Sequence, residues 1–382
     1  YSEAGASTGA WGQVGSGSGQ LRSPMGVALF ANGDLAVTDT NNHRVQVFDA
    51  TGKPGVTFGT RGTGDGQFEG PQGVATDADG NLYVADTGNN RIQKFDRTGK
   101  FLVKFGTSGS GDGQLFRPGA VAAVNRSVYV ADTGNARVQR FDTNGVYLNQ
   151  WGTKGAGPSQ FTSPTGIAVD SGGNAYVADA GNATIQRFSS DGSLLLRLTA
   201  GDLGGGTPYG LAVDRSANIY FSERTSASAD AATAARQRVM KLDATGKQAN
   251  VFGGAGSAQG LLNGPAGLAV TDRCPHGLQA WVTARLAAEA EGEGDGQPPP
   301  PASACLPRRC RPPCRRSPPT RLCICSSVVP TSRRSNAPSR WRMPKSGSRA
   351  RRTSRRWCCR RTARSEEHTS ELQSRLHLVC RL

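Results

Sequence analysis

The sequence predicts an all-β propeller built from four-stranded blades, and three observations carry that prediction. The first is a repeat of propeller-blade length. The phrase Asn81-Leu-Tyr-Val-Ala-Asp86 returns around Asp39, Asp132 and Asp179, with Glu223 at the fifth equivalent place, giving spacings of 47, 46, 47 and 44 residues. The second is that each repeat divides into four short period-2 segments bounded by turn residues. The third is glycine usage, 51 in 382 residues, concentrated in those turns and in the first segment of each repeat.

The second repeat shows how each element is assigned. Gly73–Thr76 reads as strand a, Leu82–Ala85 as strand b, Arg91–Phe95 as strand c and Phe101–Phe105 as strand d. Asp79-Gly80-Asn81 joins a to b as a tight hairpin, Thr87-Gly88-Asn89-Asn90 joins b to c, and Thr98-Gly99 joins c to d. Strand a is rich in small residues (Gly26, Ala28, Gly73, Ala75, Gly166, Ala168), as strands converging on a central axis require, so it is placed innermost. Phe48, Phe95, Phe141 and Phe188 are expected to fill the space between neighbouring sheets.

Five repeats run from about Leu21 to Gly253, and a sixth begins at Leu261 with Gly264-Pro-Ala-Gly-Leu-Ala-Val270. Trp11-Gly12 matches Phe58-Gly59, Phe105-Gly106 and Trp151-Gly152, which marks it as the final strand of a preceding blade. Six blades are therefore expected, the sixth truncated. Residues 1–20 read as the end of a preceding blade plus a Gly/Ser-rich loop, and 21–284 as the propeller. The fifth repeat carries an Ala/Ser insertion, Ser226–Ala235, before its strand c.

The rest of the chain has a different character. The net charge is +16, yet residues 1–284 hold 23 basic and 22 acidic side chains, so the basic excess lies in the last 98 residues. All nine cysteines lie at or beyond Cys274. Residues 285–363 are rich in Arg, Pro and Cys and lack the apolar content to offset ordering entropy, so they read as disordered or out of frame. Residues 364–382 begin Arg-Ser-Glu-Glu-His-Thr-Ser-Glu-Leu-Gln-Ser, which resembles the translation of a common sequencing adapter. That reading makes the tail non-native, and the pairs Cys310/Cys314 and Cys323/Cys325, which lack correctly spaced histidine partners, no metal site. No run of eighteen apolar residues is present, so no membrane span is expected in this fragment. The compartment stays open, with the cysteine-free repeats leaning toward an extracytoplasmic location.

Strand parity puts the b–c and d–a loops on one face. That face gathers Asn42, His43, Arg44, Asn89, Asn90, Arg91, Asn135, Arg137 and Asn182, and loops on a rigid scaffold are where binding concentrates. The competing role is structural: Asp39, Asp86, Asp132, Asp179 and Glu223 close their own b–c turns, and each Arg pairs with its acid or caps carbonyls.

The pattern Pro-x-Gly-Val-Ala, Tyr-Val-Ala-Asp and Asn-Asn-Arg-Ile-Gln resembles the NHL repeat, with Asn42-His43-Arg44 where the family takes its name. The resemblance covers about two-thirds of the chain and implies a propeller. Some relatives so implied are lyases of the peptidylglycine-amidating type, holding zinc through several histidines. The repeats here supply His43, with His276 beyond them, which falls short of a three-ligand catalytic site. Others bind single-stranded RNA on a basic face, which a near-neutral repeat region argues against. No Ser/His/Asp or Cys/His arrangement can be assembled, so no catalytic residue, metal or cofactor is assigned. The expectation is a non-catalytic scaffold or sensor module that grips a protein or small ligand, with an amidating-lyase-like enzyme or an RNA-binding domain as alternatives.

Overall fold

The computed structural model describes residues 9–224, 237–255, 262–271 and 279–282. The predicted insertion at 226–235, His276 and the tail from 285 onward lie outside the described residues. Five antiparallel four-stranded sheets follow one another along the chain. Their strands are Pro24–Leu29, Leu35–Asp39, Arg44–Phe48 and Pro54–Phe58 in blade 1, and Val74–Thr76, Leu82–Asp86, Arg91–Phe95 and Phe101–Phe105 in blade 2. Blade 3 comprises Ala120–Val124, Ser127–Asp132, Arg137–Asp142 and Tyr147–Trp151. Blade 4 comprises Pro164–Val169, Ala175–Asp179, Thr184–Phe188 and Leu194–Leu198, and blade 5 Pro208–Val213, Ile219–Glu223, Arg238–Leu242 and Gln248–Phe252. In each the order is a-b-c-d, every strand pairing with its sequence neighbours, so the predicted blades are observed. Beyond them, Leu268–Thr271 pairs antiparallel with Gln279–Val282.

The core lies between blades rather than within them. One cluster joins Val45, Val47 and Phe68 to Val74, Leu82 and Phe95; another joins Tyr83 and Ile92 of blade 2 to Val121, Val128 and Phe141 of blade 3. Strand b carries a tyrosine at the same register in blades 2 to 5, and its cross-strand partner is a cation: Tyr83/Lys94, Tyr129/Arg140, Tyr176/Arg187 and Tyr220/Lys241. The cation lies 5.2–5.8 Å from the ring centroid. Burial pushes the phenols of Tyr83, Tyr129 and Tyr176 above their ordinary range, because an ionised ring would lose its hydration.

Strand a is innermost, as its small residues predicted. Gly26, Gly73, Gly166, Gly210 and Gly267 line the central channel, and a Cβ on Gly210 would come within 1.9 Å of the Ala266 carbonyl oxygen. Such approaches leave no room for a side chain. The strand at 268–271 occupies the same inner position. Leu268 packs on blade 5, Ala269 packs on Leu35 and Val37 of blade 1, and a Cβ on Gly267 would meet the Met25 carbonyl at 2.5 Å. Six inner strands thus surround the channel. Among the described residues no helix is long and apolar enough to cross a membrane.

Two features were not anticipated. Each Gly-rich d–a loop of blades 1 and 3 contains a two-residue parallel pair, Thr60-Arg61 with Gln67-Phe68 and Thr153-Lys154 with Gln160-Phe161. Gln13-Val14 pairs likewise with Gln20-Leu21. The b–c turns of blades 1 to 3 close as single 3-10 turns ending in a left-handed residue, His43, Asn90 or Ala136.

Candidate functional site

The b–c turns and the d–a loops meet, and a buried carboxylate holds them together. Asp86 accepts hydrogen bonds from Asn89 Nδ2 (2.9 Å), Arg91 Nε (2.7 Å), Gln93 Nε2 (3.0 Å) and the Glu69 amide (2.8 Å). Each donor also reaches, or belongs to, the loop. Asn89 Nδ2 donates to the Gly62 carbonyl and Gln93 Nε2 to that of Gln67. The Arg91 guanidinium spans the carbonyls of Thr63, Gly64 and Gln67 at 2.7–2.9 Å.

Blade 1 repeats the arrangement with Asp39, Asn42, Arg44 and Gln46, and blade 3 with Asp132, Asn135, Arg137 and Gln139. Blade 4 has Asp179 and Asn182 but Thr184 in place of the arginine, and blade 5 uses Glu223 with Arg238 (2.7 Å). The carboxylates are fully buried, and the three arginines of blades 1 to 3 nearly so. In blades 1 to 3 the desolvation of such a pair is offset because both carboxylate oxygens of Asp39, Asp86 and Asp132 and most guanidinium N–H groups are hydrogen-bonded.

This places the sequence-derived candidates. Asn42, Arg44, Asn89, Arg91, Asn135, Arg137 and Asn182 are brought together with the acids, and their side chains point into the blade and hold the loop. His43 and Asn90 reach the next loop instead: His43 Nδ1 accepts from the Gly70 amide (3.0 Å) and Asn90 Oδ1 from the Arg117 amide (2.8 Å). With Nδ1 accepting, the His43 proton sits on Nε2.

The same network creates a display position that the sequence reading missed. The residue after each buried loop Leu or Phe has its amide clamped by the carboxylate at 2.6–2.8 Å: Arg22 by Asp39, Glu69 by Asp86, Phe116 by Asp132 and Thr162 by Asp179. Backbone is fixed while the side chain projects to solvent, Phe116 at 45% exposure. A cationic, an anionic, an aromatic and a hydroxyl side chain occupy one geometric slot in successive blades. The Arg61 guanidinium beside Glu69 holds its carboxyl below the usual range. The signal was available as the position after Gln-Phe or Gln-Leu, but it varies between repeats and so did not register as a motif.

Comparison with known proteins fits this architecture. The NHL repeat model matches residues 21–48, 68–95 and 161–188, each running from the loop Leu or Phe through strands a, b and c. The chain carries NHL repeats. Its repeats are similar to those of the B-box type zinc finger protein ncl-1 of Caenorhabditis elegans (51% identity over 43 residues) and of the protein brain tumor of Drosophila melanogaster (47% over 49). Those matches cover 11% and 13% of this chain and 5% of each relative, so the chain spans about a twentieth of the length of these curated relatives. Among solved structures the NHL-repeat propeller is similar to a gluconolactonase from Xanthomonas campestris, with a TM-score of 0.51 and 18% identity over 70% of this chain and 85% of that one. Likeness at that identity speaks to the fold.

Proposed function

We propose that this NHL-repeat propeller is a non-catalytic scaffold that binds a protein or small ligand through the face formed by its b–c turns and d–a loops. The observation that carries the reading is the display slot: one rigid backbone cradle presents Arg22, Glu69, Phe116 and Thr162 in turn. Asn42, His43, Arg44, Asn89, Asn90, Arg91, Asn135, Arg137 and Asn182 take part as the framework of that face. A scaffold that fixes backbone and varies side chains suits recognition, because the ordering entropy of the loops is already spent before the partner arrives.

We read the disc as six-bladed, with residues 21–284 as the propeller. The sixth inner strand and its packing against both blade 5 and blade 1 support this, as does Trp11. Its ring covers Gly52 as Phe58 covers Gly99 and Trp151 covers Gly192. The sixth blade would then draw on both ends of the repeat region.

The test compares full-length protein with two surface variants as capture baits. Arg22→Ser/Glu69→Ser/Phe116→Ser alters the loop face, and Asp79→Ser/Arg97→Ser/Asn144→Ser alters the opposite face. A partner retained by wild type and by the opposite-face variant, and lost from the loop-face variant, is the expected outcome. Retention that follows the opposite face, or neither, overturns the reading.

A further inference from the structure

Blade 5 breaks the repeat at the mouth of the channel. At the position after the turn acid, Thr40, Thr87 and Thr133 donate their hydroxyls to the carbonyls of Pro71, Pro118 and Pro164 in the next blade, at 2.6–2.8 Å. Blade 4 has Ala180 there, and blade 5 has Arg224. A neutral rivet between blades is thus replaced by a cation. The Arg224 guanidinium carbon lies 4.9 Å from the centroid of Tyr209. Tyr209 heads the inner strand of blade 5 and lines the channel with Met25, Gln72 and Thr165.

The other arginines of these turns are neutralised within their own blades, and Glu223 is engaged by Arg238 at 2.7 Å. Among the described residues no carboxylate pairs with Arg224. The other cation–aromatic pairs of the blades stack on strand-b tyrosines away from the channel. Contact with the Tyr209 ring holds the guanidinium in place, and among the described residues its N–H donors make no side-chain hydrogen bond, so they are available to a ligand. Those donors are the part that matches a carboxylate with two parallel hydrogen bonds.

We propose that the channel mouth beside blade 5 binds a carboxylate, with Arg224 as its cation and Tyr209 as the platform that orients it. The proposal rests on the loop-face reading and names the chemistry of its ligand. A single carboxylate suits the site better than a nucleic-acid backbone. A polyanion is held by several cations in a row, whereas Met25, Gln72 and Thr165, which line the channel with Tyr209, are uncharged. The carboxylate can belong to an acidic peptide side chain or to a free small acid, and the test separates these sources.

Full-length protein is titrated with an acetylated, amidated hexapeptide containing glutamates, with its glutamine counterpart, with succinate and with a single-stranded RNA dodecamer. Wild type is expected to prefer the glutamate peptide by about tenfold, the scale of a hydrogen bond to a charged group. That preference should vanish in Arg224→Gln and be partly kept in Arg224→Lys, whose ammonium retains the charge without the fork. Succinate binding lost in Arg224→Gln, without peptide binding, supports the carboxylate site with a small acid as its source. Equal affinity for glutamate and glutamine peptides, or a preference unmoved in Arg224→Gln, overturns the proposal. Tighter binding of the RNA that depends on Arg224 overturns it as well. If peptide binding ignores Arg224 but falls in the Arg22→Ser/Glu69→Ser/Phe116→Ser variant, the mouth assignment fails while the loop-face reading stands.

Discussion

A buried carboxylate can be satisfied in two ways in this molecule, and the blades use both. Asp86 takes one backbone amide and the Arg91 guanidinium, whereas Asp179, lacking an arginine, takes three amides, from Thr162, Ser163 and Gly181, at 2.7–3.1 Å. Thr184 fills the arginine position, and its buried hydroxyl has no hydrogen-bond partner. The two sites should therefore respond oppositely to apolar replacement. Arg91→Met leaves the buried Asp86 charge without its cation and removes three hydrogen bonds to loop carbonyls, and should cost about 3–5 kcal/mol. Thr184→Val removes an unsatisfied hydroxyl at constant shape and should be neutral or stabilising by up to about 1 kcal/mol. Denaturant midpoints decide it: a Thr184→Val loss comparable to that of Arg91→Met would refute this account of the network. The Asp–Arg pairing was legible in the sequence, because both residues recur five apart in blades 1 to 3. The span of the guanidinium onto carbonyls 24–28 residues earlier was not, since no local pattern reports where a loop folds back.

Strands announced themselves through period-2 alternation and turn residues, which is why all twenty strands of the five blades were readable. The short parallel pairs escaped because two residues cannot show a period, and Thr60–Gly66 is glycine and polar throughout. What the sequence concealed most is how one blade locks onto the next. Each c–d turn ends in a glycine with positive φ that lies beneath an apolar side chain of the preceding blade. Gly99 sits under Phe58, Gly145 under Phe105, Gly192 under Trp151 and Gly246 under Leu198. Gly80, in an a–b turn, has nearly the same backbone (φ +81° against +84°) but nothing within 4 Å of a built Cβ, whereas at Gly99 that atom would lie 2.7 Å from the Phe58 ring. Alanine at either site incurs left-handed strain of about 1 kcal/mol. Only Gly99→Ala adds the inter-blade clash, for about 1–3 kcal/mol more. Equal thermal shifts for Gly80→Ala and Gly99→Ala would mean that the aromatic lid contributes nothing to blade spacing.

A propeller removes sheet edges by closing, and closure is where the two ends of the repeat region must cooperate. Net charge gave no guide at this scale, because the basic residues that dominate the total lie beyond the described propeller. The repeat itself did, through Trp11-Gly12 at the start and Gly264–Val270 at the end. Trp11 lies outside any strand, yet its ring would be 2.6 Å from a Cβ on Gly52, in the lid position that Phe58, Phe105 and Trp151 take over blades 2 to 4. On the inner side, Ala269 shares a cluster with Leu35 and Val37, so blade 1 is gripped at its rim by one end and at its axis by the other. Trp11 is also 36% exposed, which places the cost of Trp11→Ala below that of a fully buried aromatic, at about 1–3 kcal/mol. The location of the damage is the sharper readout. In the ring as proposed, losing the lid should raise amide exchange at Gly52 and Lys53 and weaken protection of 24–29 and 268–271. Blade 3, on the far side of the disc, should keep its protection. Phe105→Ala supplies the control, opening the Asp142–Gly145 turn and leaving blade 1 unchanged. Should Trp11→Ala leave exchange at the blade 1 seam as slow as in wild type, the amino-terminal segment takes no part in closing the ring, and the inner strand at 268–271 would have to hold it alone.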